Sequence, residues 1–381
     1  MVSEAVKLYE LKKKIAEELE NRLPSRSVLR ARRDPHAKRR PRPCGITIHP
    51  GHGCPLKCLY CYIYDMGFTD KVVAYPLEPL ELVYALAINP YVVPTRTLAA
   101  IGSVTEPLLP QLRDRTIAYL KAITKWLHLP SQISTKVVIT PELARELASA
   151  HPELSVLISI SSLSRYKVLE PNAPSPELRI LGGREAAKNG LRVDLFLRPI
   201  IPGALNEDVR ELLMLAKSNM LKGVVVGSLR ITEMILKKLS EAGIRAQELI
   251  GRAGAPPKGS KQVPIRTDDI KLRIKDIAWE VGLEFLQSAC AASVIAHKIP
   301  CGLCRFGPCG GVPGLPSEND VLDFLECVGI RGKVIVADRV VRIAIKPGAK
   351  YERKIEWVKA FLEDVYKVPF IVKLMKNNVE D

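Results

Sequence analysis

Gly45-Ile46-Thr47-Ile48 followed by His52-Gly53-Cys54-Pro55-Leu56-Lys57-Cys58-Leu59-Tyr60-Cys61-Tyr62 reads as a short apolar strand running into a loop with three cysteines. The C-x3-C-x2-C spacing puts Cys54, Cys58 and Cys61 on one turn of chain. Iron-sulfur clusters are held by cysteine thiolates, and three of them can hold three irons of a four-iron cluster while the fourth keeps no protein ligand. A small molecule can bind and be reduced at that open position, where a cofactor does chemistry that side chains cannot. The competing readings are a structural zinc site or a ferredoxin-like cluster closed by a fourth cysteine. Zinc sites use paired C-x2-4-C knuckles closed by a second pair, whereas Cys44 lies across the strand, badly placed to close this loop.

Working outward, one unit repeats. After the loop come helical periodicity at Leu77 to Ile88 and an apolar strand at Thr97 to Gly102. The alternation continues as helix Gln111 to Leu127, strand Gln132 to Ile139, helix Pro141 to Ala150, strand Leu154 to Ile160 and helix Pro176 to Asn189. Strand Leu191 to Leu197, helix Asn206 to Ser218, strand Leu221 to Val226 and helix Ile231 to Ala242 complete six units. Pro141-Glu142 after Thr140 and Pro176-Glu177 after Ser175 are helix-start signals, since proline fits the first turn and the preceding hydroxyl can cap it. Alternating apolar strands and helices predict a parallel sheet covered by helices, and right-handed crossovers curl it toward a barrel. Six units fit an incomplete (β/α)6 TIM-like barrel, with a doubly wound open sheet as the alternative. In such barrels the chemistry sits at the C-terminal ends of the strands, which is where the cysteine loop falls.

The cysteine spacing and the aromatic Tyr60 before the third cysteine resemble the radical S-adenosylmethionine (SAM) superfamily. That resemblance implies a partial barrel and a [4Fe-4S] cluster whose open iron chelates the amino and carboxylate groups of SAM. It also implies an electron donor such as a ferredoxin or flavodoxin, and reductive cleavage of SAM to a 5′-deoxyadenosyl radical. The strand ends extend the likeness: Gly102-Ser103-Val104-Thr105-Glu106-Pro107, Ser134-Thr135-Lys136 near the start of strand three, Ser159-Ile160-Ser161-Ser162, Glu170 to Pro176 before Arg179, and Arg198 to Glu207. Together, from about Ile46 to Leu229, they are similar to the spore photoproduct lyase-like, DNA-repair-photolyase-related branch.

By that resemblance, Gly102 and Ser103 let the backbone approach the methionine amino group, and Thr105 or Glu106 accepts from it. Lys136 and Ser159 bind the methionine carboxylate, and Tyr60 packs near adenine. One departure concerns catalysis. The lesion-splitting lyase uses a cysteine between the cluster loop and the third strand as hydrogen donor, and here no cysteine occurs from Tyr62 to Ala289. Tyr62 is the candidate for hydrogen transfer instead, and splitting a thymine dimer by the thiol route is in doubt.

A second constellation, Cys290, Cys301, Cys304 and Cys309, places four thiols in twenty residues. It reads as an auxiliary [4Fe-4S] cluster, with zinc as the alternative. The chain then divides into a basic N-terminal helix and arm (1–43), the partial barrel (44–286), the auxiliary segment (287–331) and a small β-β-α-β appendage (332–381). Within these, Leu8 to Leu19 reads as an amphipathic helix and Gly251 to Val263 as a flexible linker or substrate loop.

The chain is 381 residues long and 47% hydrophobic, enough to bury a full core. No apolar run approaches the roughly 20 residues of a membrane helix, and the N-terminus lacks a signal-peptide apolar region. The expectation is a cytoplasmic protein whose cysteines are metal ligands rather than disulfides. The formal charge is +16. Between Arg22 and Arg42 nine basic residues face one acid, Asp34, a surplus of eight. Such an arm beside the cluster loop would deliver a polyanion, because Lys and Arg supply most nonspecific nucleic-acid affinity. The sequence therefore points to a radical SAM enzyme that modifies or repairs a nucleic acid by hydrogen abstraction. Modification of a peptide or small metabolite is the runner-up, and a nucleic-acid-binding module with structural clusters is a third class.

Overall fold

The computed structural model describes residues 2–41, 45–205, 208–345 and 352–374. Cys44, Arg42, the predicted helix start at Asn206 and the strand-end residue Glu207 lie outside them. Seven parallel strands lie side by side in chain order: β1 (Ile46–Ile48), β2 (Ala99–Ile101), β3 (Ser131–Thr135), β4 (Ser155–Ile160), β5 (Arg192–Ile200), β6 (Gly223–Ser228) and β7 (Glu284–Leu286). The register runs Ile46 to Ala99, Ile133 to Val156, Ile158 to Leu195, Leu195 to Val224 and Val224 to Phe285. β1 and β7 are the two edges, so the barrel is open between them.

Every residue of β4 is buried, as a strand covered on both faces requires. Outside, Val156, Ile158 and Val193 pack against Leu143, Leu147 and Ile180 of helices Pro141–Ala150 and Pro176–Lys188. Both helices start as their sequences predict. The Thr140 hydroxyl accepts from Leu143 N at 3.3 Å and the Ser175 hydroxyl from Leu178 N at 3.4 Å, caps that contribute about 1 kcal/mol each. Helix Pro176–Lys188 lies so close to the segment that follows β3 that a Cβ on Gly182 would sit 2.6 Å from Ile139 N.

The six predicted units are present, and a seventh strand follows them. Between β6 and β7 the chain adds helices Glu233–Glu241, Ala246–Ala253 and Asp268–Val281. β7 is only three residues long, too short for a run of apolar periodicity to reveal it. β3 also ends earlier than its apolar sequence predicts. Val137, Val138 and Ile139 are β-branched and favour strand, but the Glu106 carboxylate accepts from the Thr135 hydroxyl (2.7 Å) and Lys136 N (2.8 Å) and turns the chain there. Ser134, Thr135 and Lys136 therefore stand at the C-terminal end of β3, not its start.

After β7, helix Ala289–Ala296 enters the barrel. Ala291 and Ala292 pack on Leu157, Val225 and Leu286 inside the lumen. The Gln132 side chain donates to Ala289 O at 2.9 Å, and His297 Nε2 accepts from Ser131 N at 3.1 Å, at the start of β3. The lower lumen is thus plugged.

The C-terminal sheet pairs Gly332–Ala337 antiparallel to Val340–Ile345, and the latter parallel to Phe370–Leu374, with helix Glu352–Tyr366 across it. Its core is shared. Phe361 stacks on Phe324 of helix Glu318–Cys327 with centroids 4.9 Å apart, and Ala5, Leu8 and Tyr9 of helix Glu4–Arg22 join them. So small a unit buries little surface alone, and the N-terminal helix completes it.

The basic arm is folded as well. Ser25–Arg33 is a helix, and the segment after it runs along the free edge of β1, where the Arg39 guanidinium donates to Thr47 O. Covering an edge in this way blocks strand addition. Arg32 pairs with Glu20 at 2.7 Å and Tyr84, Arg30 with Glu81 at 3.3 Å, and Arg40 with Glu356 at 2.8 Å. The surplus that reads as an arm for a polyanion is largely spent on internal partners. Among the described residues, no helix is long and apolar enough to cross a membrane.

Candidate active site at the strand ends

The cysteine loop is held from three sides. Gly53 has φ +82°, and a Cβ there would lie 2.1 Å from Lys71 O, so only glycine fits. Gly53 N donates to Val104 O and Cys54 N to Thr69 O, both at 3.1 Å. The Thr105 hydroxyl donates to Gly53 O at 2.6 Å, which commits it to the loop. On the far side Leu59 N donates to Leu169 O at 3.0 Å, and the Asn172 amide to Pro55 O at 2.7 Å.

Beneath the loop lies a buried polar network. The Tyr60 hydroxyl donates to the Glu170 carboxylate. The Arg179 guanidinium is 2.6 Å from the same carboxylate, neither side chain is exposed, and its Nη1 donates to Ser159 O at 2.7 Å. Lys136 stands over the Tyr60 ring at 5.7 Å. Burial works against its ammonium, but Glu170, Cys58 and Glu106 beside it prevail and raise its pKa. Burial raises the Glu106 pKa in turn, against the bonds it accepts from Thr135 and Lys136 N.

These groups face one cavity of about 380 Å³ at the C-terminal mouth of the barrel. All three cysteines line it, as do Tyr60 and Tyr62. So do Gly102, Ser103, Thr105 and Glu106 after β2, Lys136 after β3 and Ser159 in β4. Gly102 has φ +74°, again a glycine conformation, and Ser103 O accepts from the Tyr62 hydroxyl at 2.9 Å. The sequence-derived candidates, scattered over more than a hundred residues, are brought together.

The thiols are neutral by environment. Burial pushes Cys54 up to about 11 and Cys58 up to about 12, and it raises Cys61. Tyr62 is raised by burial too. Thiolates here need a cation beside them. Among the described residues no three histidine, cysteine or carboxylate side chains converge on one point in the manner of a single-ion site.

The second constellation lies below. Cys301 and Cys309 exchange backbone hydrogen bonds of 2.9 and 2.8 Å, and burial, with Cys290, Cys301 and Cys304 adding their charge, pushes Cys309 up to about 11. Cys309 also packs against the helix that plugs the lumen, and Ala289, next to Cys290, lines the cavity floor. The two cysteine groups thus approach the lumen from opposite ends.

Some lining residues had no assigned part in the sequence reading. Phe196 and Arg198 project from β5. Arg230 and Gln262 come from a two-residue ribbon, Arg230–Ile231 with Val263–Pro264, that brings the Gly- and Lys-rich loop over the mouth. The ribbon is too short for period-two alternation to show. Glu170 is visible in sequence as part of a proline-rich segment, but only the fold places it under Tyr60.

Residues 48–216 match the family model of the Radical SAM superfamily. The uncharacterized protein ORF301 of Acidianus two-tailed virus is 27% identical over 216 residues, 52% of this chain and 64% of the viral protein. The chain therefore spans a little under two thirds of the length of that curated relative. A cysteine-to-serine variant of spore photoproduct lyase superposes with a TM-score of 0.52 at 17% identity, over 65% of this chain and 77% of that one. A variant of that lyase with bound AdoMet and dinucleoside spore photoproduct gives 0.50 at 17%, over 63% and 75%. At such identities the likeness is one of fold. The match to the Radical SAM family model takes in a little under half of the chain, and it includes the cysteine loop at the mouth of the parallel partial barrel.

Proposed function

We propose that this chain is a radical SAM enzyme acting on a nucleic acid, with Cys54, Cys58 and Cys61 as ligands of a [4Fe-4S] cluster and SAM bound beside them. The observation that carries this reading is the convergence of three thiols, one buried and two half-buried, with a cation and hydroxyls on one cavity. When bound, the cluster and SAM supply a 5′-deoxyadenosyl radical for hydrogen abstraction. The donor set fits: soft thiols suit iron, and a metal cation bound to them would hold them as thiolates against the burial that raises their pKa values.

Lys136 is the natural partner of the methionine carboxylate, with Ser159 beside it. Its ammonium has carboxylate and thiol neighbours but, among the described residues, donates no hydrogen bond to them, so its donors remain for a ligand. Glu106 accepts from Thr135 and Lys136 N and holds Lys136 in place, while Gly102 and Ser103 let a ligand approach the backbone. Tyr62 holds its proton against Ser103 O at the cavity wall, where a hydrogen atom can be passed to a substrate-centred radical. Cys290, Cys301, Cys304 and Cys309 would hold a second cluster, with zinc as the other occupant. The nucleic-acid substrate is supported by the basic charge and by the dinucleoside held in the lyase of like fold.

Anaerobic reconstitution followed by dithionite reduction should yield 5′-deoxyadenosine from SAM. Mass spectrometry of DNA and RNA from cells lacking the protein should then show a changed nucleoside. A protein that binds iron but never cleaves SAM would overturn the enzymatic reading. SAM cleavage with unaltered nucleosides and an altered peptide would move the substrate to the other class.

A further inference from the structure

Two cationic centres share the cavity. Lys136 stands with Cys58, Glu106 and Glu170. Arg198 stands apart from it, beside Tyr62 and Arg230. The Arg198 side chain lies across the backbone of Gly227, where a Cβ would come within 2.7 Å of its Cδ, and its guanidinium rests 5.7 Å from the Phe196 ring centroid. Gly227 thus clears the path that aims Arg198 into the cavity. Arg230 opens the ribbon at the mouth and is exposed. Among the described residues neither guanidinium has a hydrogen bond or an acidic partner. Glu106, the acidic residue that lines the cavity, is occupied by Thr135 and Lys136 N.

Two like charges therefore face one another with no acid between them, and desolvation together with the charge of Arg230 lowers the Arg198 pKa against the opposing effect of Tyr62. An anion between them would remove that penalty, and the guanidinium fork matches a phosphate in two-point fashion. The pairs that occupy Arg30, Arg32 and Arg40 elsewhere show the contrast: these arginines of the N-terminal arm have acidic partners, and those at the mouth have none among the described residues. From this geometry we infer that Arg198 and Arg230 form a phosphate-binding position that seats a backbone phosphate of the substrate strand beside the reacting nucleotide. The inference rests on the nucleic-acid reading above. It moves the polyanion contact from the arm to the cavity.

The test is anaerobic binding of a short fluorescent oligothymidylate to the SAM-loaded protein over a salt series. Each phosphate neutralised on a single strand contributes about −0.7 to the log-log slope. The double variant Arg198→Gln/Arg230→Gln should flatten the slope by about 0.7, the worth of the one phosphate the pair seats, and each single variant by part of that. A methylphosphonate probe, uncharged along its backbone, should bind wild type and double variant alike, a comparison made under the same conditions. SAM affinity, measured separately, should not change. A double variant that keeps the wild-type slope would overturn the phosphate position while leaving nucleic-acid binding intact. Loss of SAM affinity in the double variant would assign the pair to the cofactor and overturn it too. A wild-type protein that does not bind the charged probe would overturn the substrate reading itself.

Discussion

Arg179 and Glu170 form an ion pair 2.6 Å long with both side chains fully buried, and Glu170 also accepts a hydrogen bond from the Tyr60 hydroxyl. The pair is thus the anchor under the aromatic residue that precedes Cys61. Removing one member leaves the other charged and unpaired in the interior, a change that costs about 3–5 kcal/mol. Arg179→Met and Glu170→Gln should each lower the denaturation midpoint strongly. Tyr60→Phe, which deletes one hydrogen bond to a buried acceptor, should cost about 1–3 kcal/mol. Urea unfolding of the apoprotein, with iron retention after reconstitution as the second readout, checks the order. Equal stability of Arg179→Met and wild type would show that the pair does not hold the loop.

Lys136→Ala removes the cation beside Cys58 and Glu106. SAM affinity should fall by about 1.5–3 kcal/mol, the usual worth of a hydrogen bond to a charged group. Iron content should stay level, because Lys136 touches no loop backbone that positions the cysteines. Equilibrium dialysis with labelled SAM reads the loss, and unaltered affinity would remove Lys136 from the cofactor site.

If both cysteine groups hold four-iron clusters, the reconstituted protein should carry about eight irons. Serine at Cys54, Cys58 and Cys61 together should remove about half of them and all 5′-deoxyadenosine formation. Serine at Cys301, Cys304 and Cys309 should remove the other half. Stoichiometric zinc with a single cluster would reassign the lower site without touching the upper one.

Lys12 of helix Glu4–Arg22 is buried, and its ammonium donates to the carbonyls of Asn89 and Val92 over the Phe361 ring with no acidic partner among the described residues, so burial lowers its pKa to about 7. Between pH 7 and 10 the unfolded chain holds a proton here that the folded chain does not, and stability rises with pH across that window. Relative to Lys12→Met, the wild type should gain at most about 1.4 kcal/mol per pH unit from pH 7 to pH 9. Below pH 7 the difference should level off. Paired urea titrations at several pH values measure it, and a flat difference would show that the ammonium stays charged when folded.

The sequence was legible where one interaction dominates. Thr140-Pro141 and Ser175-Pro176 start their helices because cap and proline act locally, and β4 is a strand because all six of its residues are buried. The cysteine loop and its strand-end companions were legible because barrel topology forces them to one mouth. Reading failed where tertiary contacts override local preference. Glu106 ends β3 against a β-branched run, and Glu20, Glu81 and Glu356 take up arginines that charge counting leaves to a nucleic acid. β7 and the ribbon bearing Arg230 are held by pairing across distant segments, which no short window contains.

The helix Ala289–Ala296 that fills the lower lumen makes the cavity a vessel with one door. What lies deepest has to enter first. On the proposed function, with the thiols and Lys136 at depth and Arg198 and Arg230 at the rim, SAM would load before the substrate strand, and the strand would then stopper it. Turnover kinetics should accordingly be ordered, with substrate analogues slowing the escape of bound SAM rather than competing for its place. A second cluster on the lower cysteine group, as proposed above, would let electrons reach the chamber through its base while the door is shut.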